Sequence, residues 1–199
     1  MSKISTRMLS FLLAAAGIAL AGADRGHGQN ATEFKVGVVL PLTGAVAANG
    51  RYELPGAYVG ADMVNNTGGI GGLPVRLIVC DTQSLEQQAV ICAKRLTSEE
   101  KVNLLLGAGN TPQTMAILQT AEAAGVPLFT LAGAAVPYTP LRKWAFKGHF
   151  GNDDFVPALL DYLKRKGWKR VALIRDTGPY GSDVFAQLNK VIQGSGIEI

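Results

Sequence analysis

Of 199 residues only two are cysteine and two are histidine, and charged side chains make up just 17%. His27 and His149 have no partner at metal-ligand spacing, and no cysteine–histidine couple stands ready for nucleophilic chemistry. A dinucleotide fingerprint would need three spaced glycines after the first strand. Pro41-Leu42-Thr43-Gly44 stands there instead, with the next glycine at Gly50. G-K-[ST] and G-x-S-x-G are both missing. The S-x-x-K match at Ser98–Lys101 falls in a charged helix end, and adjacent Asp153 and Asp154 point different ways, which suits a helix N-terminus better than an acid–base pair. These absences argue against an enzyme and against a metal or other cofactor.

One long apolar run is present, Met8–Ala23, preceded by Lys3 and Arg7 and closed by Ala21-Gly22-Ala23. It is short for a membrane span, which needs roughly 20 residues, and its flanks are those of a secretory signal. The expectation is a signal peptide over residues 1–23, cleaved near Ala23, then a polar leader over 24–33 and an exported protein. No cysteine sits at the cleavage point to carry a lipid. Without residues 1–23 the balance is 17 basic against 15 acidic residues, or +2, which is no nucleic-acid signal. The basic cluster Lys164-Arg165-Lys166 with Lys169-Arg170 sits at a predicted helix end, where cations complement the dipole.

In an oxidising compartment Cys80 and Cys92 could form a bridge between a strand end and the next helix, or remain two buried thiols; the sequence leaves their separation open. Asn65-Asn66-Thr67 fits a glycosylation pattern, discounted because the signal reads as bacterial.

Beyond the leader, strand and helix patterns alternate. Strands are predicted over 34–40, 74–80, 102–107, 127–131, 145–150 and 168–175, and another begins at Ile197. Helices are predicted over 51–66, 85–98, 111–124, 153–166 and 180–193. This alternation predicts an α/β protein, a mostly parallel sheet with helices on both faces. The irregular stretch 132–152 reads as a domain boundary. A chain that stops while entering a strand leaves edge groups unpaired, so the sequence is expected to be the N-terminal portion of a longer protein.

The chain is organised around Leu104–Thr114. An apolar strand runs through Gly107-Ala108-Gly109 into a helix with Pro112 in its first turn and Thr111 as the expected N-cap. A helix N-terminus at the carboxyl end of a buried strand favours a carboxylate or phosphate.

Taken in order, Lys35–Gly44, Gly56–Asn65 with Gly68–Gly72, Asp81 with Gln88-Ala89-Val90, Gly107–Pro127 and Lys169–Gly181 resemble the branched-chain amino acid binding proteins of ABC importers, periplasmic binding proteins of type I. The resemblance implies two lobes: lobe one over 34–149, mostly present, and the start of an incomplete second lobe over 150–199. It implies a periplasmic protein that closes on a small ligand, an amino acid or similar carboxylate or amide, and is recognised by an ABC permease in the inner membrane. A ligand-sensing extracytoplasmic receptor domain is the alternative on the same fold. Carried over by position, Thr111 would offer its hydroxyl beside Asn110. Backbone N–H groups would come from Ala132, Gly133 and Ala134, with Asn49 and Gly50 facing the ligand from the first loop and Tyr180 from the second lobe. Leucine-binding relatives often carry a hydroxyl where Ala134 stands and an aromatic near Asn49, so the resemblance leaves the ligand's side chain open. The acidic residue that pairs with the ligand ammonium in such relatives has its place beyond residue 199.

Overall fold

The computed structural model describes residues 32–199; the expected signal peptide and nearly all of the leader lie outside the described residues. Five parallel strands form one sheet: β1 (Phe34–Leu40), β2 (Val75–Asp81), β3 (Leu104–Gly107), β4 (Leu128–Thr130) and β5 (Ala145–Lys147). They are ordered β2-β1-β3-β4-β5. Helices α1 (Ala47–Asn66), α2 (Glu86–Ser98) and α3 (Thr111–Ala124) connect them, followed by α4 (Asn152–Arg165) and α5 (Pro179–Ile192).

Two cores lie on opposite faces of the sheet. Val39, Leu105 and Leu128 pack with Ala89, Cys92, Leu96, Ile117 and Ala121 of α2 and α3. Val36, Val38 and Leu40 pack on the other face with Leu54 of α1 and the β2 residues Leu77 and Val79. The alternation along β1 thus feeds both layers, as a doubly covered parallel strand requires. Among the described residues α1 covers mainly β1 and β2. Further along that face Phe129 and Phe146 stack at 5.3 Å and remain 39% and 42% exposed. A third, small core joins Leu160 and Leu163 of α4 to Val171, Val191 and Ile197.

The predicted strand over 168–175 does not form. Ile174 is 98% exposed, and the ladder contact here is an isolated parallel bridge between Arg170 and Glu198. That bridge is also all that appears of the strand expected from Ile197. An extended segment becomes a strand only where a neighbour accepts its backbone groups. The helix expected from Arg51 begins one turn earlier, at Ala47, without a side-chain cap. Asn65 is committed in both directions to the Val75 backbone, its Nδ2 donating at 3.0 Å and its Oδ1 accepting at 2.6 Å.

Cys80 and Cys92 are bridged, with Cα atoms 5.8 Å apart. The bond ties the end of β2 to α2 beside Asp81, whose carboxylate anchors the first loop. It accepts from the backbone N–H of Leu42 and Gln83, both at 2.8 Å, and from the N–H and hydroxyl of Thr43 at 3.2 and 2.6 Å. Desolvation pushes the Asp81 carboxyl up, but the Thr43 hydroxyl and these N–H donors outweigh it and hold the group below its usual range. With its folded pKa depressed, Asp81 stabilises the fold above the unfolded value near 4 and loses that effect as pH falls through the lower folded value. Asp81→Ala should therefore cost about 1–2 kcal/mol at pH 7 in urea denaturation, and the gap from wild type should close towards pH 3.

Candidate cleft at the carboxyl ends of the strands

A cleft of about 650 Å³ opens where β3 runs into α3, walled by α1, the turn before α2 and the connections towards α4 and α5. Its floor is the turn Gly109-Asn110. Asn110, not the expected Thr111, caps α3: its backbone is extended and its Oδ1 accepts from Gln113 N–H at 3.0 Å. Pro112 stands second in the helix, where no intrahelical N–H is needed. Thr114 secures the turn from below, its Oγ1 3.1 Å from Ala108 O and 3.2 Å from Thr130 Oγ1.

The corrected cap leaves Thr111 as the first helical residue with its hydroxyl uncommitted. Thr111 is 1% exposed, lines the cleft, and has no hydrogen-bond partner for Oγ1. Gln113, also 1% exposed, accepts from Thr82 Oγ1 at 2.9 Å and leaves Nε2 unpaired. Buried polar groups are almost always paired. Two unpaired groups capable of donating, in the first turn of one helix, where the backbone N–H groups and the dipole also favour negative charge, form a place for an anionic oxygen.

From α1, Asn49 donates through Nδ2 to Gly109 O at 3.1 Å. Glu53, one helical turn on and therefore on the same face, lines the cleft as well. Its Oε2 is buried without a partner, and burial raises its pKa from the ordinary carboxylate range to about 7. Sequence reasoning missed Glu53 and Gln113. For Glu53 the available signal was its i+4 spacing from Asn49, heading the apolar stripe Ala57–Ala61. On the far side Tyr180 packs against Gly133, where an added Cβ would stand 2.9 Å from the ring. His149 contributes both ring nitrogens to the wall, set against the carbonyl oxygens of Leu131 and Phe150.

Of the residues singled out from the sequence, Asn49, Asn110, Thr111, Gly133 and Tyr180 meet in this cleft. Gly50 does not line it; it is buried against Pro41, leaving no room for a side chain. Ala132 and Ala134 are 2% and 0% exposed and lie behind the wall. The Ala132 N–H is already donated to Thr130 Oγ1 at 2.9 Å, which corrects the expectation that it serves a ligand. A buried link ties this wall to the C-terminal segment: Asp183 Oδ2 on α5 accepts from Asn152 Nδ2 at 2.9 Å and from Ala135 N–H at 3.2 Å.

Residues 33–199 match the family described as periplasmic binding protein. A leucine-, isoleucine-, valine-, threonine- and alanine-binding protein of Pseudomonas aeruginosa is 25% identical over 99% of this chain and 52% of its own length. An amino acid binding protein of the same organism is 32% identical over 78% of this chain and 43% of its own. Among solved structures, an extracellular ligand-binding receptor from Rhodopseudomonas palustris HaA2 is 30% identical with a TM-score of 0.75, over 85% of this chain and 46% of that one. The branched-chain amino acid transporter substrate binding protein LivJ from Streptococcus pneumoniae, solved with isoleucine, is 25% identical with a TM-score of 0.74, over 84% and 48%. The chain thus spans about half the length of the relatives it matches.

Proposed function

The chain belongs to the periplasmic binding protein family, and on that premise we propose that it is an extracytoplasmic solute-binding protein of an ABC importer. It binds an amino acid or a similar small carboxylate or amide in the cleft above α3 and presents it to a permease in the inner membrane. The observation that carries this reading is the pair of orphaned groups, Thr111 Oγ1 and Gln113 Nε2, lining the cleft at the α3 N-terminus. A ligand carboxylate there takes both, together with the helix dipole, and needs no resident cofactor. The names of the amino acid binding relatives support the ligand class. Tyr180 and Gly133 form the opposite wall.

The test is calorimetry of the full chain against the twenty amino acids and simple carboxylates, followed by Thr111→Val. The substitution keeps the shape and removes a hydroxyl that finds no partner in the ligand-free protein. Stability should therefore hold or rise by less than about 1 kcal/mol, while carboxylate binding weakens by about 1.5–3 kcal/mol, the range for a hydrogen bond to a charged group. Unchanged affinity would make Thr111 a core residue only.

A further inference from the structure

The basic cluster at the end of α4 has no part in the cleft. Lys164, Arg165, Lys166, Lys169 and Arg170 are all exposed, and none of them lines it. Cations near a helix C-terminus complement its dipole, yet the last carbonyl groups of α4 are already satisfied by backbone. Lys166 N–H donates to Tyr162 O and Gly167 N–H to Lys164 O, both at 3.0 Å, and Trp168 N–H donates to Leu163 O at 3.2 Å. Among the described residues the ion pairs lie elsewhere, on Lys35, Arg76, Arg142 and Lys147. The cluster's own cations meet no carboxylate there.

Two aromatic rings stand among them. Tyr162 and Trp168 meet edge to face at 6.0 Å while 41% and 52% exposed, and Lys166 Nζ stands 5.6 Å from the centre of the Tyr162 ring. The chain reverses at Gly167, where φ is +71° and an added Cβ meets nothing within 4 Å, so the turn faces open space. The acidic neighbours are Asp161 and Glu198, whose backbone pairs with Lys169 and Val171; five basic residues against these two leave a surplus of three positive charges. An acidic protein surface would answer the charges and leave the rings unexplained. An anionic bilayer answers both: its phosphates attract lysine and arginine, and its headgroup zone takes tryptophan and tyrosine, apolar body inward and polar tip in water.

We propose that this face attaches the protein to an anionic phospholipid bilayer, with the cations against lipid phosphates and Trp168 and Tyr162 in the headgroup zone. The proposal goes beyond the solute-binding reading and makes no use of the cleft. For a protein that hands its ligand to a permease, such attachment confines the search for that permease to the membrane surface.

The experiment is vesicle co-sedimentation of the chain from Asp24 onward, which keeps every described residue and removes the apolar run Met8–Ala23 as a rival membrane-binding segment. Partitioning should be at least about tenfold stronger onto vesicles with about 30% phosphatidylglycerol than onto phosphatidylcholine alone. It should weaken severalfold between about 50 and about 300 mM salt. Lys166→Glu/Lys169→Glu should weaken it by about 25-fold or more, since each basic residue near such a surface contributes about fivefold. Brominated lipid should quench Trp168, and Trp168→Phe, which leaves Trp144 as the remaining tryptophan, should lose that quenching. Equal partitioning onto both vesicles, or attachment with Trp168 unquenched, would overturn the proposal. So would retention on polyglutamate without attachment to vesicles, which would assign the cations to an acidic protein surface. The lipid and salt dependence of the unaltered chain decides this even where a variant fails to fold. Amino acid calorimetry without vesicles tests the solute-binding reading separately, so either can fail while the other stands.

Discussion

Gly107→Ala should destabilise the protein by about 4 kcal/mol, as strain at a disallowed backbone and overpacking add. Gly107 ends β3, pairs with Val39 of β1 and holds φ at +130°, in the region L side chains rarely adopt. A Cβ built there overlaps the Val39 carbonyl oxygen, which belongs to buried sheet backbone and cannot swing aside as a side chain would. Urea denaturation should show the midpoint fall with little change in slope. The contrast is Gly60→Ala in α1, an exposed position where an added Cβ meets nothing within 4 Å. That substitution should stabilise by about 0.5–1 kcal/mol through helix propensity. Equal effects at the two glycines would mean that neither the close approach nor the backbone conformation matters at Gly107.

Opening the Cys80–Cys92 bond should lower stability by about 3 kcal/mol, the chain-entropy value for so short a loop. The bridge spans 12 residues of sequence and closes the β2–α2 turn that carries Ser84 and Glu86 to the cleft. Equilibrium unfolding with and without reductant measures the loss, and the double variant Cys80→Ala/Cys92→Ala separates the bond from any other action of the reductant. Because Cys92 is fully buried among Ala89, Ala93 and Leu96, the double variant should lose slightly more than reduction alone, by the volume of the deleted sulfur. An unchanged midpoint on reduction would contradict the bond's role in the fold.

The sequence was most legible where local chemistry alone sets the structure. Pro112 and Gly125 bracket α3, and the predicted span 111–124 is the observed one. Gly125, at φ +63°, is the left-handed residue that ends a helix. Legibility failed where a partner decides. Residues 168–175 are apolar enough for a strand, yet Val171 N–H donates to Glu198 O and, among the described residues, no ladder extends beyond that bridge. The cap was misplaced by one residue because Thr and Asn are both good caps, and only the extended backbone at Asn110 settles which side chain turns back. That single shift changes Thr111 from a group already spent on its own helix to one left facing the cleft. Glu53 was invisible for a related reason. A glutamate in a helix usually faces water, and the Glu53 carboxylate lies where a Cβ at Gly109 would stand, a contact 56 residues away in the chain.

The stacked pair Phe129 and Phe146 bears on how the protein behaves in the test tube. Among the described residues these rings sit on a sheet face that α1 leaves partly uncovered, Phe146 in β5 at the edge of the sheet. An apolar patch flanking an unpaired edge is a template for another copy. Loss of material on storage should then be second order in protein concentration, hastened by sulfate salts that favour apolar burial, with dilution a better preservative than ligand.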